Sequence, residues 1–287
     1  MMKLVTIEYQ GREQVAFYTD RGIIPLTSLN EQLGMNWDTD LFHLLQKNQF
    51  AALHNWYDSN GQEHLPSLPY LPVNEASYRA LYRRPGKIIG VGMNYWAKAI
   101  ELSGRPPEDE PVIFLKPHSS LIGSGEAIQL PDGAGQISAE AELAIVIGQT
   151  CKAICEEQAM GVIAGYTTSL DMTAKDIHAR NPRFMQRAKS FDTFLSLGSS
   201  LSTSDEYESL NELEIQTVHN NQVTHSNTVD HMIFSPTYLV SFLSNVMTLY
   251  PGDIILTGTP GSVTIQPGDN VGCQIAGLRK LENRVEN

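Results

Sequence analysis

Long apolar runs are missing from this chain. No stretch approaches the roughly 18 consecutive apolar residues of a membrane-spanning helix, and the opening Met1-Met2-Lys3-Leu4-Val5-Thr6-Ile7-Glu8 lacks the apolar core of a secretory signal. Cysteine is scarce as well. Cys151, Cys155 and Cys273 are an odd set, and the four-residue step between the first two fits neither a redox CxxC nor a zinc spacing. Reduced thiols in a cytoplasmic, soluble protein are the expectation. An excess of positive charge is also absent: 20 Lys and Arg against 32 Asp and Glu leave a net charge of −12. That balance excludes the broad basic face that nucleic acid or an anionic membrane needs, but a small anionic substrate stays compatible with it. Internal repeats, low-complexity segments and a regular alternation of strand and helix are missing too. The last of these favours an α+β, mainly β architecture over a doubly wound sheet.

What is present suits one or two globular domains, since 287 residues with 41% hydrophobic content can bury a large core. Leu4-Val5-Thr6-Ile7, Val15-Ala16-Phe17-Tyr18 and Ile23-Ile24-Pro25-Leu26 read as short strands punctuated by Gly and Asp. Between about residues 39 and 57, Leu41, Phe42, Leu44, Leu45, Leu53 and Trp56 recur at helical spacing, with His43 and His54 at the surface or boundary. Leu65-Pro66-Ser67-Leu68-Pro69-Tyr70-Leu71-Pro72 reads as an extended linker. A small β-rich N-terminal domain over residues 1–72 and a main body over 73–287 are therefore expected.

The main body opens on Lys87-Ile88-Ile89-Gly90-Val91-Gly92-Met93-Asn94-Tyr95, a strand running into a glycine-bearing turn. A dinucleotide fingerprint is excluded, because Tyr95 stands where GxGxxG needs its third glycine. A short helical turn over 96–102 and a polar, Gly/Pro-rich stretch over 102–111 follow, the latter suited to a lid. Strands are expected near 112–116, 162–170, 213–218, 254–258 and 271–275, and a helix over 156–161. Ser235 and Pro236 mark a second helix start, with Tyr238, Leu239, Phe242, Leu243 and Val246 on its apolar stripe.

The most informative run is Ile137-Ser138-Ala139-Glu140-Ala141-Glu142-Leu143-Ala144-Ile145-Val146-Ile147. Its apolar second half reads as a buried strand, and strand alternation puts Glu140 and Glu142 on one face. Two neighbouring carboxylates repel, and burial raises the cost. A hard divalent cation resolves both penalties; a solvated strand end would avoid them. Spacing alone leaves both readings open.

Seven segments, in order, resemble the fumarylacetoacetate hydrolase family: Val91-Gly92-Met93-Asn94-Tyr95, Phe114-Leu115-Lys116-Pro117, Glu140-Ala141-Glu142, Leu170-Asp171-Met172-Thr173, Ala188-Lys189-Ser190-Phe191-Asp192-Thr193, Met232-Ile233-Phe234-Ser235 and Thr257-Gly258-Thr259-Pro260. The resemblance covers about residues 87–285. It implies a roll of mixed β-sheets around a metal-centred pocket, a homodimer, and a small-molecule 2-oxo or 2,4-dioxo acid as substrate. Carried over, Glu140, Glu142 and Asp171 correspond to the ligands of Mg2+ or Mn2+. Lys189 corresponds to a lysine that helps hold substrate and metal waters, the alternative being a structural ion pair with Asp192 or a neighbour. Asn94, Tyr95, Lys116 and Thr259 fall at substrate-binding positions.

One departure bears on the reaction. The family pattern Asn-Tyr-x-x-His-x-x-Glu supplies a His–Glu pair that activates water, whereas this chain reads Asn94-Tyr95-Trp96-Ala97-Lys98-Ala99-Ile100-Glu101. A lysine ammonium gives up its proton near pH 10.4 in water, about three units too high for a base at neutrality, and a neighbouring carboxylate favours the charged form. Lys98 is thus expected as a cation that meets a substrate carboxylate or pairs with Glu101. His118 and His178 lie near matching segments but away from the base position. Hydrolysis of a C–C bond in an acylpyruvate-type substrate, with Glu101, Lys98 and Lys189 as catalytic groups, is the first expectation. An isomerase or tautomerase of an unsaturated oxo-diacid, or a 2-oxo-acid decarboxylase, is the alternative that Lys98 favours. A non-catalytic binder of small acids is the third.

Overall fold

The computed structural model describes residues 2–103, 107 and 109–287. Two strands form its spine, Ile137–Ile147 and Ile163–Ala174, paired antiparallel along almost their whole lengths. Ile137, Ala139, Ala141, Leu143, Ile145 and Ile147 face one core, while Ala144 and Val146 face another. A strand covered on both faces reads as a continuous apolar run, and this one does. Glu140 and Glu142 share the parity of Ala144 and Val146. They therefore lie at one end of the face that the N-terminal helices cover further along.

The main sheet runs Gly22–Pro25, Arg12–Thr19, Lys3–Tyr9, Ser200–Thr203, Ile163–Ala174, Ile137–Ile147, Ile254–Leu256, Ile88–Gly92 and Val112–Lys116, with short strands branching from this path. A second sheet runs Gln222–Thr228, Glu214–His219, Asn270–Ile275, Leu281–Glu286 and Ile128–Gln129. Ile215, Val271, Cys273, Ile275, Leu281 and Val285 of the second sheet pack onto the first. The result is the expected mainly β, α+β architecture of open mixed sheets. The N-terminal strands join the main sheet directly, Leu4 pairing with Leu201 and Val5 with Ser200. Among the described residues no helix is long and apolar enough to cross a membrane.

The helical reading of 39–57 resolves into two helices, Leu41–Gln46 and Gln49–Trp56, separated where Asn48 adopts φ 55°. Asp40 caps the first by accepting from the His43 amide. Two local expectations are corrected. Leu26 does not end a strand; it begins the helix Leu26–Leu33, which stops at left-handed Gly34. Residues 65–72 are not extended throughout. The chain continues from Trp56 through helical turns to a 3-10 turn at Leu65–Ser67 and extends only from Leu68. Pro66 lies in the first turn, where a missing N–H costs nothing. The helix Pro236–Val246 starts as expected, with the Ser235 hydroxyl accepting from the Tyr238 amide at 3.0 Å.

The pairing of the two spine strands shifts register between Ile163 and Gly165, next to the junction with Ser200–Thr203. A Cβ at Gly165 would lie 2.1 Å from the Ser202 carbonyl oxygen and 3.0 Å from the Thr203 Cα, both backbone atoms that cannot rotate away. Gly165→Ala is expected to cost about 3 kcal/mol, the upper range for forcing extra volume into a packed interior. Urea titration should show a lower midpoint at unchanged slope; an unchanged midpoint would mean that the junction yields freely.

Candidate active site

Register builds the acidic cluster. Asp171 on one spine strand pairs directly with Glu140 on the other, and Ser169 pairs with Glu142. Directly opposed side chains share a face, so Glu142 and Asp171 meet on the diagonal. One carboxylate oxygen from each of Glu140, Glu142 and Asp171 lies within 4.8 Å of the other two. Oxygens held about 2.1 to 2.5 Å from one shared cation lie up to about 4.2 to 5 Å apart, so this oxygen-only donor set fits a hard divalent ion. Asp171 is fully buried, Glu142 nearly so and Glu140 half-buried, which removes the solvated strand end from the two earlier readings.

Two lysines answer these charges. Lys116 donates to Asp171 Oδ1 at 2.7 Å, with both side chains fully buried. Lys189 donates to Glu140 Oε2 at 2.8 Å and to Asp171 Oδ2. Its ammonium stands 4.8 Å from the centre of the Phe114 ring. Burial opposes the charge on Lys189, but Asp171, Glu140 and Glu142 outweigh it and hold the ammonium above the ordinary lysine range. For Lys116 burial wins over Asp171, with Lys189 adding to it, and its value falls. Among the described residues Glu142 has no lysine salt bridge; the Gly258 amide donates to its Oε2 at 2.6 Å. Burial, then Asp171, push the Glu142 carboxyl well above the usual carboxylate range. Gly258 is required at that point, with φ 94° and Asn94 Cβ only 2.9 Å from where a Cβ would stand.

Lys98 and Glu101 sit on the helix Trp96–Ser103, one turn apart. The Lys98 ammonium lies 3.2 and 3.3 Å from the two Glu101 oxygens and 3.3 Å from the Ser262 hydroxyl. Ser262 pairs with Glu140 from the side opposite Asp171. Ser262, Glu140 and Asp171 thus form one row across three strands, with Lys98 at its end. The Lys98 side chain is 7% exposed and that of Glu101 65%.

The substrate-binding positions are less open than expected. Asn94 donates to the Phe234 and Thr257 carbonyls and accepts from the Phe234 amide. It ties two turns behind the site and has no amide proton left for a ligand. Lys116 is likewise turned inward, onto Asp171 and the Met172 and Lys189 carbonyls. Thr259 bonds Gly261 through its hydroxyl in both directions. Tyr95 is fully buried, its hydroxyl has no hydrogen-bond partner among the described residues, and burial raises its value, with Glu142 adding to it. Lys189 pairs with Glu140 and Asp171 and not with Asp192. His118 is exposed on the turn His118–Ser120. His178 lies on the helix Lys175–Arg180, which follows the strand of Asp171; its Nε2 is buried with no hydrogen-bond partner among the described residues, and burial, then Lys189, lower its value. Of the lid expected over 102–111, residues 104–106 and 108 lie outside the described residues.

Three contributors escaped the sequence reading. The Thr173 hydroxyl donates to Glu140 Oε2 at 3.2 Å; it lies two residues beyond Asp171, so strand period could have placed it on the same face. Phe114 and Ser262 carried no such signal, because their roles depend on which strands become neighbours.

A family model described as the C-terminal domain of fumarylacetoacetate (FAA) hydrolase matches residues 87–286. This chain belongs to the fumarylacetoacetate hydrolase family. It is 36% identical over 226 residues to the mitochondrial oxaloacetate tautomerase of Rattus norvegicus, covering 76% of this chain and 72% of that one. The structure of a 5-carboxymethyl-2-hydroxymuconate delta-isomerase from Mycobacterium smegmatis superposes with a TM-score of 0.73 at 32% identity, over 99% of this chain and 98% of the other. A maleylpyruvate hydrolase from Sphingobium sp. SYK-6, solved with manganese(II) and pyruvate, gives 0.80 at 26% identity over 100% and 99%.

Affinity for Mn2+ is expected to rise with pH above the ordinary carboxylate range in calorimetric titration. The sign follows from Glu142: its raised carboxyl holds a proton that must leave before the oxygen can serve as a ligand. Glu142→Gln should reduce the affinity by 10-fold or more, about 1.4 kcal/mol. Wild-type affinity in that variant, or a flat pH profile, would refute the ligand assignment.

Proposed function

We propose that this protein is a divalent-metal-dependent tautomerase that interconverts the keto and enol forms of a short 2-oxo diacid of the oxaloacetate kind. The observation that carries this reading is Lys98. A buried ammonium, held by Glu101 and Ser262, occupies the sequence position that the family pattern gives to its histidine. An ammonium can donate a proton and bind a carboxylate, but it cannot activate water while charged. Similarity to an oxaloacetate tautomerase and to a delta-isomerase supports the same choice.

The reaction moves one proton and changes no other atom. A C3–H bond breaks, a C2=C3 double bond forms, and the C2 oxygen gains hydrogen. Glu140, Glu142 and Asp171 would hold Mg2+ or Mn2+, which would supply Lewis acidity toward the 2-oxo group and so make the C3 proton easier to remove. Glu101, the most exposed carboxylate of the group, accepts that proton. Lys98 gives its own to the C2 oxygen, and Glu101 restores it across the 3.2 Å contact. Lys189 keeps a fixed positive charge beside Glu140 and Asp171, where negative charge develops on the substrate oxygens.

Hydrolysis remains the second reading, supported by the likeness to maleylpyruvate hydrolase. The two part in one assay. Mn2+-loaded protein is offered enol-oxaloacetate and, separately, an acylpyruvate, with absorbance and products both followed. Loss of the enol band without pyruvate or carbon dioxide is expected, with kcat lowered about 100-fold in Lys98→Met, the lower range for loss of a general acid. Cleavage of the acylpyruvate with no faster ketonisation would replace this reading with hydrolysis. Release of carbon dioxide would replace it with decarboxylation, and no turnover at all with a non-catalytic binder.

A further inference from the structure

A second charged cleft lies away from the acidic cluster, where the N-terminal strands meet the turn between Asn270–Ile275 and Leu281–Glu286. Lys3, Tyr18, Ser200, Ser202, Arg279 and Lys280 contribute to its wall, which encloses about 350 Å³. In a chain of net charge −12, a wall with three cations is an exception. Two of them are offset: Lys3 lies 3.7 Å from Glu206, and Lys280 lies 3.2 Å from Glu282. Arg279 is not. Its guanidinium stacks 3.4 Å from the centre of the Tyr78 ring, and among the described residues it has neither a carboxylate partner nor a hydrogen bond. Stacking fixes the plane of the group while leaving its five N–H donors free.

The neighbouring polar groups are arranged compatibly. The Arg279 amide donates to the Ser200 hydroxyl oxygen at 2.9 Å, which seats the turn against the sheet and leaves the Ser200 O–H able to donate into the cleft. A second cleft of about 460 Å³ shares Lys3 and Tyr18, so a ligand longer than the first has room to extend. A planar guanidinium with free donors, in a cleft that two lysines also line, suits an oxyanion with paired oxygens.

We infer that the cleft around Arg279 is a binding site for a small multivalent oxyanion, a phosphate ester or a di- or tricarboxylate, separate from the Glu140–Glu142–Asp171 centre. The test uses the full chain, freed of metal, titrated calorimetrically with pyrophosphate and with citrate at constant ionic strength. Saturable binding of at least one probe is expected; which one binds distinguishes phosphate from carboxylate chemistry. Arg279→Gln should weaken it about tenfold or more, a change on the scale of one lost charge-assisted pair. Lys280→Gln should weaken it less, and it serves as the second variant should loss of the Tyr78 stack impair folding. Glu142→Gln should leave it unchanged. Absence of saturable binding by either probe, undiminished binding in both cleft variants, or loss of binding in Glu142→Gln would overturn the assignment.

Discussion

The structure depends on a repulsion held in place. Antiparallel register sets Asp171 against Glu140 and brings Glu142 onto the diagonal, inside a sheet buried on both faces. In water such carboxylates would separate; a paired backbone forbids it. Much of the surrounding architecture responds to that constraint. Lys116 and Lys189 neutralise from beneath and beside, the Gly258 amide reaches Glu142, and Asn94 locks the turn that carries Gly258. Buried ion pairs of this kind seldom add net stability, because desolvation offsets the Coulomb gain. Their retention in a folded chain is understandable as a requirement of the site and not of the fold.

The proposed function turns on a single departure from the family pattern, Lys98. Cation-assisted removal of a proton beside a carbonyl needs an acceptor, a donor and fixed positive charge. On the proposed reading Glu101, Lys98 and Lys189 supply these, with a lysine standing where the family pattern has the histidine that pairs with the glutamate to activate water. The choice of reaction is thus proposed to lie in the first turn of the Trp96–Ser103 helix, while the acidic cluster is common to both readings.

Much of this was legible in the chain because strand period is short-range. Alternation alone placed Glu140 and Glu142 on one face, and the apolar run after them announced a strand covered on both sides. Ser235-Pro236 marked a helix start through capping chemistry that involves only local atoms. What escaped the sequence depends on distant neighbours. Nothing local tells that Lys116 turns toward Asp171, that Asn94 faces backbone carbonyls, or that Ser262 pairs beside Glu140. The proline-bearing stretch after residue 64 misled for a different reason: Pro66 lies in a first helical turn, where its ring is compatible with the helix it was expected to exclude.

The central claim is that Glu140, Glu142 and Asp171 converge on one cation. Anomalous difference density from crystals grown with Mn2+ tests it most directly. The account predicts a single strong peak about 2.1 to 2.3 Å from one oxygen of each carboxylate, the distances expected for a hard divalent ion with oxygen ligands, with the Lys189 ammonium drawn back from Asp171. A peak elsewhere, or none between these three side chains at saturating Mn2+, would contradict it.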